Sequence, residues 1–491
     1  MKNFTSVLRS HSGAVQARIP SLRSVTKQKS TPPFCKVCKW LMVLLVLTIS
    51  MPVLAEVTLT SNNCQYEIQG TEGSRYLKIV FIKANGEVRV PYNMTVPIGD
   101  KKVSLSVKEV VAKSTNYDAI DYKVTKYIFE PGIKKVEIKG RYNSYVKSVI
   151  FEGDNTQVGI SFGSFDGGYP LEEVKLPANI TQLEKNSSFV NCKTLKSVIL
   201  PEKLEEIPAN LFKGCSALTT LVIPNTVTKI GTDAFKESGL TQITLPESLT
   251  TIEASAFYKT KLETITIPKN VTKIPTDCFY QCENLIRAMF PNTLTTIDAR
   301  AFRGCSNLAN IDIPTSLETI GIGAFGDCKN LKLTNQFRFP DSMKELGGAA
   351  FENCTQLGIN QLIFPGKMEN VNIGGFKNCD VTHVIVEEGA KKVSLPSNKY
   401  IKSITLPKTV CELVGFLDAV ELESFVIDED APLTEIGVLT FFRSTKLKSF
   451  ICPKSVTKIG GMAFSECTAL ETVKLPEGIT SIGDRAFYDC I

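Results

Sequence analysis

A repeat of 22 or 23 residues constrains this 491-residue chain more than any other feature. The chain reads LTTLVIPNTVTKIGTDAFKES from Leu218, LTQITLPESLTTIEASAFYKT from Leu240 and LETITIPKNVTKIPTDCFYQC from Leu262. It returns as LANIDIPTSLETIGIGAFGDC from Leu308 and LETVKLPEGITSIGDRAFYDC from Leu470. The unit is L-x-x-I-x-I-P-x-x-V-x-x-I-G-x-x-A-F-x-x-C, with fourteen anchor phenylalanines from Phe165 to Phe487, Phe416 and Phe442 among them. A fixed period of this length denotes a solenoid, in which one coil cannot bury its own apolar face and stacked neighbours bury it together.

Each position in the unit has a physical task. Alternation places Leu221 and Ile223 on the inner side of a short strand and Thr220 and Val222 on the outer side. Pro224 has no N–H for a ladder and ends that strand. Val227 and Ile230 return inward on the far wall, Gly231 permits the bend, and Ala234-Phe235 plugs the coil. Between Phe376 and Phe416 lies a coil without its phenylalanine, VIVEEGAKKVSLPSNKYIKSITLP, which echoes YIFEPGIKKVEIKGRYNSYVKSVIF from Tyr127. Degenerate coils are therefore expected from residue 127 to 491. Residues 56–126 lack the repeat but alternate like strands, as in YLKIVFIKANGEVRV, which predicts a small β-rich N-terminal domain or cap. The fold class expected is a β-rich solenoid of coils of about 23 residues preceded by that domain.

Residues 1–55 read as a signal peptide or leader. The uncharged run from Leu41 to Ala55 follows Lys36 and Lys39 and closes on Val53-Leu54-Ala55, the small-residue pattern of a cleavage site after Ala55. The run is shorter than the roughly 20 residues a membrane span needs, so no stable span is expected after processing. The net charge of +6 has its source here: the leader holds eight Lys/Arg and no Asp or Glu, leaving 48 basic against 50 acidic residues beyond it, a balance of −2. No nucleic-acid partner follows from such a chain.

The mature chain keeps one histidine, His383, which rules against a zinc site built on a His pair and against a Ser/His/Asp relay. No phosphate loop and no cluster of carboxylates occurs, so neither an enzyme nor a bound cofactor is expected. Nine of the fifteen cysteines stand three residues after an anchor phenylalanine: Cys192, Cys215, Cys282, Cys305, Cys328, Cys354, Cys379, Cys467 and Cys490. The same position elsewhere holds Gly168, Ser238, Thr260, Ala419 and Thr445, all small, so it selects size rather than sulfur. Stacked coils set these thiols in a line, whereas a metal needs ligands that converge. Buried free thiols are the expectation.

The outward strand residues form the candidate binding face: Thr220 and Val222, Gln242 and Thr244, Thr264 and Thr266, Arg287 and Met289, Asn310 and Asp312. The row continues in Ser403 and Thr405 and in Thr472 and Lys474. It is mostly uncharged and suits protein or peptide contact.

The L-x-x-I-x-I-P and A-F-x-x-C halves together, over residues 127–491, resemble the BspA-like family of leucine-rich repeat surface proteins. The resemblance implies a secreted or cell-surface protein of bacteria or parasitic protists that adheres to host matrix proteins or other cells. Two other readings stand beside it: a structural spacer displaying another domain, and an enzyme or glycan-handling domain in residues 56–126. The end at Cys490-Ile491, directly after an A-F-x-x-C and without a polar cap, suggests further sequence carrying an anchor.

Overall fold

The computed structural model describes residues 56–112, 122–139, 145–154, 157–161, 170–183, 187–415 and 417–490. The leader, its cleavage point at Ala55, the anchors Phe165 and Phe416, and Gly168 lie outside the described residues.

Three ladders join consecutive coils. The first row is built by the L-x-x-I-x-I segments, from Glu173–Lys175 and Ser197–Ile199 through Thr264–Thr266 and Arg287–Met289 to Ser449–Ile451 and Thr472–Lys474. Its paired strands run parallel with coil matched to coil, as in Ile265 against Ala288 and Ala288 against Ile311. The second row is built by two-residue strands ahead of the Gly bend, such as Lys229–Ile230 and Thr251–Ile252, again parallel. Gly231 is required here for close approach rather than for a bend of unusual φ: a Cβ at that position would lie 2.6 Å from the Ala209 main-chain nitrogen in the preceding coil.

The third ladder is formed by the phenylalanine turn, which is not a strand. Asn210, Phe212 and Gly214 donate their N–H groups to the carbonyls of Thr232, Ala234 and Lys236 at 2.9, 2.8 and 2.7 Å. The next coil repeats this with Asp233, Phe235 and Glu237 donating to Ala254, Ala256 and Tyr258. All these donors point toward the following coil. From Phe212 to Phe351 the geometry puts the residues two before and two after each phenylalanine in the left-handed region, as at Asn210 (φ 60), Gly214 (φ 72), Asp233 (φ 57) and Glu237 (φ 58). An L-residue there costs roughly 1–2 kcal/mol. The inter-coil bonds over-determine the conformation and hold it.

Inside the turn the phenylalanine rings form a column. Nine rings from Phe189 to Phe376 stack with centroids 4.8–5.7 Å apart and planes within 14°. A second run, Phe441, Phe464 and Phe487, stacks at 4.9 and 5.2 Å. Full burial of such rings contributes about 1.5–3 kcal/mol each, and offset pairs add about 0.5–1.5 kcal/mol. The structure corrects one anchor: Phe441, not Phe442, fills the column, and Phe442 is half-buried at the surface. The small buried residue of that coil is accordingly Ser444 and not Thr445.

The cysteine position also requires more than small size. Cys215, Cys282, Cys305, Cys328, Cys354, Cys379 and Cys467 point Sγ at the carbonyl of the phenylalanine one coil earlier, at 2.8–3.2 Å. The thiol thus donates weakly to a carbonyl that is otherwise bonded only within its own turn. None of the thirteen described cysteines is joined in a disulfide. Burial pushes the Cys192, Cys379 and Cys467 thiols up to about 12 and Cys282 to about 11.

In the coil without a phenylalanine the same slot is taken by Asn398. This side chain is fully buried; its Nδ2 donates to the carbonyls of Phe376 (2.9 Å) and Cys379 (3.1 Å), and its Oδ1 accepts from Tyr400 N–H (3.0 Å). One amide does the work of the missing turn.

Parallel stacking begins upstream of residue 127. Val57–Thr58, Gly86–Val90, Val124–Phe129 and Ser148–Phe151 pair in that order, all parallel, and lead into the first row at Glu173–Lys175. A companion sheet runs from Tyr76–Ile82 through Lys101–Ala112 and Lys135–Lys139 to Gln157–Ser161, also parallel. Antiparallel strands join it at two places, Cys64–Gln69 on Tyr76–Ile82 and Asn93–Ile98 on Lys101–Ala112. One continuous apolar core runs from Leu59 to Ala486. The β-rich segment thus shares its sheets with the first coils, and its strand Cys64–Gln69 carries polar side chains such as Glu67, paired with Lys78 at 3.1 Å.

Candidate binding face

The outward side of the first row gathers the residues singled out in the sequence. Thr220, Gln242, Thr264, Arg287 and Asn310 form one column, and Val222, Thr244, Thr266, Met289 and Asp312 the next, with registers Thr264 to Arg287 to Asn310 and Thr266 to Met289. All are exposed except Met289, which is half-buried with its sulfur 3.9 Å from Thr266 Oγ1. Val222 is 85% exposed, an extreme value for a β-branched apolar side chain.

The row is not uniform. Segments 218–223 and 240–245, expected as strands, are not strands: between Ser197–Ile199 and Thr264–Thr266 the first row is bridged only at Val222 and Thr244. Two further main-chain bonds flank the bridge, Thr241 N–H to the Thr219 carbonyl (3.0 Å) and Glu263 N–H to the Thr241 carbonyl (3.1 Å). Ring spacing does not set this gap: the widest step in the column, Phe189 to Phe212 at 5.7 Å, joins coils whose first-row strands Glu173–Lys175 and Ser197–Ile199 do pair. An open depression of about 380 Å³ lies where the ladder fails, lined by Thr220, Leu221, Gln242, Ile243, Thr244, Thr264 and Thr266. Leu221 is buried in the core and Ile243 is partly buried against it. No charged group lines it.

Farther along, the face changes character in a way the motif reading passed over. The second outward column becomes Ile363, Ile385, Thr405, Val426 and Ile451, in register from Ile363 to Val426, with Val426 51% and Ile451 46% exposed. The signal was present in the same x position of each L-x-x-I-x-I. Arg338 stands next to Ile363 in this column and donates to Glu387 (2.9 and 2.8 Å) and Asp341 (2.6 Å), which raises its own pKa and lowers those of both carboxylates. His383 lies beside Ser403 in the first column, its Nδ1 2.9 Å from Thr382 Oγ1 and 3.3 Å from the Asn360 carbonyl.

Among the described residues no three His, Cys, Asp or Glu side chains are placed to hold a metal ion, and no helix is long and apolar enough to cross a membrane.

Comparison with known proteins agrees with the repeat. The family model described as a BspA type leucine-rich repeat region, in six copies, matches residues 158–286, 205–332, 278–405 and 396–491. No curated protein matches the chain. Similar solved structures include a leucine-rich repeat protein of Bacteroides ovatus, 21% identical over 88% of this chain and 92% of that one, TM-score 0.45. A leucine-rich cell surface protein of Faecalibacterium prausnitzii is 20% identical over 87% and 90%, TM-score 0.34. The pneumococcal vaccine antigen PcpA is 18% identical over 75% and 98%, TM-score 0.44.

Proposed function

The chain belongs to the BspA-type leucine-rich repeat family, and from that premise we propose that it acts by binding protein ligands through the outward face of the first row, as a secreted or cell-surface adhesion protein. The observation that carries this reading is the face itself: two columns of side chains run coil after coil in register, mostly Thr, Ser, Gln and aliphatic groups, with charge confined to a few positions such as Arg287, Asp312 and the paired Arg338. A flat array of this kind offers area and hydrogen bonds without strong charge selection, which suits extended protein contact. Host matrix proteins and the surfaces of neighbouring cells are the ligands the reading assigns, and catalysis has no place in it. The experiment is a pull-down of surface proteins with the full chain against a variant carrying Thr220→Lys, Thr244→Lys and Thr266→Lys. Three new cations on a neutral face should abolish capture through desolvation and repulsion. Unchanged capture would move binding off this face.

A further inference from the structure

We draw no further inference here: the strongest candidate, the surface patch of aliphatic side chains Ile363, Ile385, Val426 and Ile451 along the outward side of the first row, carries no proposal because nothing in the structure shows what covers it.

Discussion

The block from Phe189 to Phe376 and the stretch that follows it, through Asn398 to Phe441, hold their coils together differently. Within the block each coil from Phe189 to Phe351 has the phenylalanine turn with its forward-pointing N–H groups, and the first-row strands of those coils are two or three residues long or, at 218–223 and 240–245, absent. Around the coil that lacks the turn, the first-row strands lengthen to four residues: Gln361–Phe364, His383–Val386, Ser403–Leu406 and Ser424–Ile427. The second row lengthens as well, to three residues at Asn370–Asn372, Lys392–Ser394 and Glu412–Val414. Stacking neighbours can be bonded at the turn or at the rows, and where one ladder is lost the others extend. The converse holds as well. Coils 218–245 keep the turn ladder and the second row, so the first row can be interrupted there while the coils stay stacked.

The largest way to break this balance is alkaline pH. Burial raises the thiols of Cys192, Cys282 and Cys379 in the block, to about 12, 11 and 12. Raised folded pKa values leave the stability intact below the unfolded thiol value of about 8.5 and remove it as pH climbs toward the folded value. Each pH unit above about 8.5 should withdraw roughly 1.4 kcal/mol per buried thiol. Circular-dichroism melts from pH 7 upward should show a falling transition, with proteolysis entering the block between Cys192 and Cys379 first; a melting curve indifferent to pH would contradict this.

Removing one ring comes next. Phe235→Ala in the middle of the column should destabilise by about 3–5 kcal/mol in urea unfolding, since a buried ring leaves a cavity between two stacked neighbours. Asn398→Ala should cost less, about 1–3 kcal/mol, by leaving the Phe376 and Cys379 carbonyls without their buried donor. If Asn398→Ala proved as harmless as a surface substitution, the longer strands alone would account for that coil. The smallest effect is a gain. Ser444 Oγ and Ser238 Oγ are buried without a hydrogen-bond partner, and Ser444→Cys should add up to about 1 kcal/mol by giving the slot a side chain long enough to reach the carbonyl of the preceding coil.

Much of this was legible in the residues. The period, the strand-proline-turn order, the inward Leu221 and Ile223 and the outward Thr220 and Thr266 all follow from alternation and repeat length. What was not legible has specific causes. Phe441 and Phe442 are adjacent and the repeat varies between 22 and 23 residues, so spacing alone could not choose between them. Asn398 follows Cys379 by 19 residues, outside the period, and its role shows only through the two carbonyls it caps. The parallel pairing of Gly86–Val90 with Val124–Phe129 was hidden because alternation reads the same for either strand direction. The interruption at 218–245 was hidden because those segments carry the same L-x-x-I-x-I motif as the coils whose first-row strands do pair.

The trade between ladders is tested most directly by amide hydrogen exchange of the free full chain, resolved residue by residue across coils 210–257. The turn amides of Phe212, Phe235 and Phe257, each bonded to the following coil at 2.8–2.9 Å, should be strongly protected. The amides of Thr220 and Leu221 and of Gln242 and Ile243, in the same coils, should exchange faster by orders of magnitude. Equal protection at both places would mean that the first row is closed there, and the account of the depression would fall with it.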